Sequence, residues 1–174
     1  SGKAGTPNAQ TAAVAIANGI VVRAVDANWN LVTTATPTVS LGSTDAYAVI
    51  ADDNGASAGH LTLVAGTRTL SSFTFKAAGT RTITATDTTS ALAANTSGNI
   101  TVNAGTAVKL LLLVPGEVAD PGSPTGKTVA APNAQIAGTA IASGIVVRAV
   151  DANWNLASSS ATVTIGTTDA NAVI

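Results

Sequence analysis

Cysteine is absent from this chain, which excludes disulfides, thiolate metal sites and thiol nucleophiles. Methionine is absent too, so the sequence reads as a processed product or an excerpt of a longer chain. Aromatic residues make up 3% and charged residues 10%, the latter far below the quarter usual for a soluble domain. The net charge of −1 offers no basic footprint for nucleic acid or anionic lipid. The most apolar run, Val108 to Val114, is too short to span a bilayer, so no membrane insertion is expected. No stretch carries a convincing amphipathic helical period.

What remains is small and β-branched. Hydrophobic residues reach 46%, mostly Ala, Val, Ile and Leu, and Thr, Ser, Asn and Gly fill much of the rest. Such residues suit pleated sheets with hydroxyl-bearing faces, and a surface so poor in charge suits an extracellular or cell-surface setting.

One stretch occurs twice. Gly19-Ile-Val-Val-Arg-Ala-Val-Asp-Ala-Asn-Trp-Asn-Leu31 returns letter for letter as residues 144–156, 125 residues later. Around it, Pro7 to Val32 matches Pro132 to Ala157 at 21 of 26 positions. A period this long fits a whole β domain rather than a solenoid turn. The register slips to an offset of 124 at Gly2-Lys3 against Gly126-Lys127 and at Thr38–Ile50 against Thr162–Ile174, which places loops near residues 4–6 and 33–37.

Turn chemistry and alternation divide the chain into short strands. Asn18-Gly19 signals a turn before a strand at 20–25, and Asp26 to Asn30 is the next turn. Strands follow at 38–41, 48–50, 61–64, 67–76, 80–86 and 98–102. Leu70, Phe73 and Phe75 should point inward, and their change of parity calls for a bulge or bend between residues 70 and 73. Residues 87–96 read as polar loop. Ala107 to Val114 opens a new unit, and residues 115–132 form a Pro/Gly-rich excursion. The strand and turn spacing is that of an antiparallel sandwich.

Three stretches carry a family likeness: Val22-Arg-Ala-Val-Asp-Ala-Asn-Trp-Asn30, Asp45-Ala-Tyr-Ala-Val-Ile50, and Ala78-Gly-Thr-Arg-Thr-Ile-Thr-Ala-Thr-Asp87. In these the chain resembles the bacterial immunoglobulin-like (Big-type) tandem repeats of large secreted and cell-surface proteins. The resemblance covers most of residues 19–104 and recurs in part over 144–174. It implies an all-β, immunoglobulin-like antiparallel β-sandwich, tandemly repeated, acting as stalk, spacer or adhesive module, and it supplies no catalytic residues. The Pro/Gly-rich segment departs from compact members of that class. The expected division is 1–104 as one sandwich lacking its first strand, and 105–174 as the first strand and N-terminal half of a second copy.

Candidate sites are few. Pro121 to Thr128 looks superficially like a phosphate loop, but position 121 is Pro where a Gly is needed and no helix pattern follows. His60 is the single histidine, with no local triad signature, so no enzyme is expected. Asp26, Asn28 and Asn30 alternate, and Asp52 and Asp53 lie in a second Asx-rich loop. Together they form an oxygen set that calcium could use, against the plainer reading of turn chemistry. No other cofactor is implied.

Trp29 and its copy Trp154 fall in polar turns. They could cap the sandwich, anchor a contact between units, or stack on sugars. Lys109 reads as an outward edge residue that discourages wrong pairing, with an isopeptide bond as the rarer alternative. Val108, Leu110, Leu112 and Val114, with the two Trp residues, are the expected interface. The expected partners are other copies of the chain in a fibre, joined covalently or by insertion of 107–114 as a donor strand. The alternative is an adhesin or glycan-binding module using the Trp-bearing turns.

Overall fold

The computed structural model describes residues 2–51, 59–128, 131–141 and 144–174. It is all-β: no helix occurs among the described residues, and so none long and apolar enough to cross a membrane. The strands are β1 (Gln10–Thr11), β2 (Ala15–Arg23), β3 (Thr38–Ser43), β4 (Val49–Ile50), β5 (His60–Thr62), β6 (Thr67–Thr74), β7 (Gly79–Arg81), β8 (Ile83–Asp87), β9 (Asn95–Thr96), β10 (Ile100–Asn103), β11 (Lys109–Leu113) and β12 (Val146–Val150).

Two antiparallel sheets, ordered β2-β6-β4 and β5-β3-β8-β9, face one apolar core in a sandwich-like arrangement. A third sheet, β1-β10-β7, adds Ile100 and Val102 to that core and contains a parallel pair, β1 with β10. Alternation explains the burial. Leu70 and Phe73 of β6 point inward, and Phe75 beyond its end does the same, all at 1% exposure or less. The two Phe rings meet edge-to-face with centroids 4.7 Å apart. Each such buried ring contributes about 1.5–3 kcal/mol over an exposed one, the same range as the fully buried Leu61, Leu63 and Leu70 of this core.

Several expected boundaries move. Asn18-Gly19 is not a turn before a strand. β2 runs through it, and the register with β6 shifts between Ala17 and Ile20. The parity change across Leu70 and Phe73 coincides with a bulge in the partner strand: Asn18 and Gly19 together stand opposite Ser71, one residue more than regular pairing allows. Asn18 takes a positive φ of 51°, which Asn tolerates better than most residues. The expected strand at 80–86 breaks at Thr82, where the chain leaves the β10 sheet as β7 and joins β3 as β8. The expected loop at 87–96 contains the short β9, paired with β8.

A second, smaller core gathers Leu111, Leu113 and Val150, with Ala119 and Trp154 packed against it. It rests on β11 and β12, which pair over Lys109↔Val150 to Leu113↔Val146. The strand expected at 107–114 thus lies against the second copy of the repeated stretch in its own chain.

Candidate functional site at the repeat junction

The repeated turn has the same internal build in both copies. In the first, the Asp26 carboxylate accepts the N–H groups of Asn28 and Asn30, both at 2.9 Å, and the Asn30 side-chain amide at 3.0 Å. In the second, Asp151 accepts Asn153 N–H at 2.8 Å, Asn155 N–H at 3.0 Å and the Asn155 amide at 2.9 Å. Asp suits this position because one carboxylate satisfies several converging donors of a tight turn. Trp29 and Trp154 sit at φ 67° and 66°, held in the left-handed region by that network.

The surroundings differ. Asp26 and Asn30 are exposed, whereas Asp151 is 2% and Asn155 0% exposed. Asn155 plugs into the loop after β6: its Oδ1 accepts Ala78 N–H at 2.7 Å and its Nδ2 donates to the Lys76 carbonyl at 2.8 Å. Asp151 accepts one further donor, Gly105 N–H at 2.8 Å, from the segment joining β10 to β11. The same loop is braced from inside the first core, since Asp45, 3% exposed, accepts Lys76 and Ala77 N–H at 2.7 and 2.9 Å. Two Asx side chains thus grip the Lys76–Ala78 backbone from opposite sides of the junction.

The Pro/Gly-rich excursion completes the contact. Tyr47 Oη donates to Asp120 at 2.6 Å, and Gly122 N–H donates to the Asn153 carbonyl at 2.7 Å. Gly122 lies so near Ala77 that a Cβ there would meet its backbone at 2.9 Å. Gly126, at φ +77°, lies flat against the Trp154 indole, where a Cβ would overlap the ring. The glycines of the apparent phosphate loop are therefore explained by close packing on Ala77 and Trp154. Trp154 Nε1 donates to the Pro124 carbonyl at 3.2 Å, and Lys109 Nζ stands 3.6 Å from the ring centroid. Lys109, on an edge strand as expected, lays its ammonium on the indole.

Electrostatics follow these contacts. Burial works against the charge of Asp151, but the hydrogen bonds from Asn155, Gly105 and Asn153 outweigh it and hold the carboxyl below its ordinary value. Asp26 is also held low, first by the Asn30 amide. The Asp120 carboxylate pushes the Tyr47 phenol up, first through their hydrogen bond. Lys127, 2.8 Å from Glu117, holds that carboxyl low.

The expected interface residues split by face. Val108, Leu110 and Leu112 are 66, 49 and 43% exposed, Val114 is half-buried, and Leu111 and Leu113 turn into the smaller core. Trp29 is 46% exposed and Trp154 half-buried. Of the oxygen set, Asp26, Asn28 and Asn30 form one turn closed by its own donors, while Asp52 and Asp53 lie outside the described residues. Among the described residues, no three His, Asp or Glu side chains converge as a metal site.

Sequence reading missed Asp45, Tyr47, Asp120, Asp151 and Asn155 as junction residues. For Asp151 and Asn155 the available signal was the unbroken identity of 19–31 with 144–156 across its polar positions; Asp45, Tyr47 and Asp120 lie outside that stretch. No protein-family model matches the chain, and neither the curated proteins nor the solved structures yield a match.

Proposed function

We propose that the chain is a non-catalytic structural repeat, built of tandem immunoglobulin-like sandwiches, that gives length and stiffness to an extracellular or cell-surface fibre or stalk. The observation that carries this reading is the fully buried Asn155, bonded through both side-chain polar atoms to the Lys76–Ala78 backbone. A flexible linker would leave those groups to water. A fixed angle between successive bodies needs them paired in a dry contact, because an unpaired buried amide costs about 1–3 kcal/mol. The resemblance to bacterial immunoglobulin-like repeats supports the same reading, as does the low charge of the surface.

Small-angle X-ray scattering on wild type and Asn155→Ala tests it. Wild type should fit one rigid arrangement, and the variant should broaden into an ensemble with unchanged strand content by circular dichroism. Equal flexibility in both would sink the stalk reading.

The second reading, an adhesive module, is favoured by one observation: Trp29 stays 46% exposed in a polar turn. A glycan array with wild type and Trp29→Ala separates the two. Trp29-dependent binding would move the assignment to an adhesin.

A further inference from the structure

We propose that residues 19–31 of one copy of this chain dock on a second copy in place of that copy's own residues 144–156, so that chains join head to tail by exchange. This rests on the stalk reading and names its partner and register.

Identity is the starting point. The stretch 19–31 offers the same side chains and backbone groups as 144–156, because the sequences are the same. The groups that hold 144–156 from outside come from residues 76–126 of one chain: β11, Gly105 N–H, the Lys76–Ala78 backbone, Gly122 N–H, and Pro124 and Gly126 on the Trp154 indole.

The edge that would receive them is identifiable. Alternate residues of a strand turn their backbone groups to opposite edges. Ala24 N–H donates to the Gly66 carbonyl, so Ala24 and Val22 address the β6 side. Val21, Arg23 and Val25 then address the other edge, and β2 ends its sheet there. In the second copy, Val108 N–H donates to the Val150 carbonyl, so β11 lies along the edge that corresponds to Val21, Arg23 and Val25.

Side-chain parity agrees. Leu110 stands opposite Ala149 and Leu112 opposite Val147. The matching residues in β2, Ala24 and Val22, belong to or pack on the large core. Beside β12, Leu110 and Leu112 are 49 and 43% exposed. Beside β2 they would extend the buried face of a three-stranded sheet. The exchange also moves β11 from a two-stranded ribbon, a marginal arrangement alone, to a wider sheet. The tether opposes it, since linked segments meet at millimolar effective concentration. Exchange therefore grows with protein concentration, and because donor and acceptor surfaces differ, it joins chains head to tail rather than in self-complementary pairs.

The absence of native cysteine makes the test direct. A chain carrying Val22→Cys is mixed with one carrying Leu112→Cys at high concentration under mild oxidation. Neither chain can form this bond within itself. A disulfide joining the two chains is expected, and it should increase when the Leu112→Cys chain also carries Arg148→Pro, which removes an N–H of β12. A single chain with Val147→Cys and Leu112→Cys controls for the register within one chain. Sedimentation of Arg148→Pro should show a ladder of sizes that Arg23→Pro abolishes. No mixed disulfide in either background overturns the exchange. If scattering still shows a rigid junction, that failure belongs to the exchange alone; a flexible junction would instead remove the stalk reading beneath it.

Discussion

Residues 19–31 and 144–156 have one sequence and two environments. Both fold the Asp-Ala-Asn-Trp-Asn turn with the same carboxylate-to-amide network and the same left-handed Trp. Local sequence therefore decides the turn. Burial does not follow from it: Val25 is half-buried where Val150 is 0% exposed, and Asn30 is exposed where Asn155 is 0%. The difference comes from what each copy meets, which is β11, the Lys76–Ala78 loop and the Gly122–Gly126 excursion for the second copy. A polar turn that is ordinary on a surface becomes a specific plug once two backbone groups are offered to its last Asn.

The sharpest way to break this comparison is to make one substitution in each copy. Asn155→Ala leaves Ala78 N–H and the Lys76 carbonyl buried without their partner, and should cost about 2 kcal/mol in urea unfolding of the segment that includes β11 and β12. Asn30→Ala removes the same side chain from an exposed turn and should stay within about 0.5 kcal/mol. Equal costs would mean that the turn's internal network, and not the junction, is what Asn155 stabilises.

This asymmetry also shows what was legible beforehand. The strands could be read, because Phe73 and Phe75 alternate about a core, the parity change after Leu70 marks an irregularity, and Asx/Gly pairs mark most turns. Asn18-Gly19 misled because the same backbone freedom serves a bulge as well as a turn, and only the partner strand decides between them. The repeated stretch stood out by its identity, and the Trp residues and Val108, Leu110 and Leu112 were singled out as contact residues. The partners of Asp151 and Asn155 could not be read. They are main-chain groups of Lys76, Ala78 and Gly105, and a backbone N–H or carbonyl carries no letter in a sequence.

A second pair of substitutions sharpens the comparison at the glycines. Gly126→Ala puts a Cβ into an indole already held by Pro124 and Lys109, at a φ that costs an L-residue about 1–2 kcal/mol. A loss of about 1.5 kcal/mol is expected in chemical denaturation. Gly2→Ala meets the same atoms of Trp29 at a similar φ of +63°, so the backbone strain is common to both copies; with that ring 46% exposed, the loss should be smaller than at Gly126.

Acid separates the copies more gently. The Asp151 carboxyl is held below the ordinary aspartate value of 3.8, so its stabilisation is complete above that value and is lost as the pH falls below it through the folded-state value. Asp26 is depressed in the same direction, but it fixes only its own exposed turn. Scattering at falling pH should therefore show the junction loosening below about pH 3.8, while circular dichroism of the large core changes little. An Asp151→Asn variant should lose that pH dependence, and an Asp26→Asn variant should keep it.

Among the contacts of the second copy, the smallest effect is expected at Lys109. Its ammonium lies 3.6 Å from the Trp154 ring centroid, and a partly shielded cation–π contact contributes about 0.5–1 kcal/mol. Lys109→Met keeps the aliphatic stem in β11 and removes the charge, so it isolates that contribution from strand propensity. In a Trp29→Phe background, fluorescence reports Trp154 alone, since the chain has two Trp residues. Lys109→Met should then change Trp154 emission and lower stability by that amount, while Lys109→Arg, whose planar cation also stacks on indole, should restore both. If Met and Arg behave alike, the side chain contributes to the junction through its stem. The indole would then be fixed by Gly126 and Pro124 without help from the charge, and Trp29, which has the matching glycine in Gly2, would need nothing from β11 beyond its backbone to be covered in the same way.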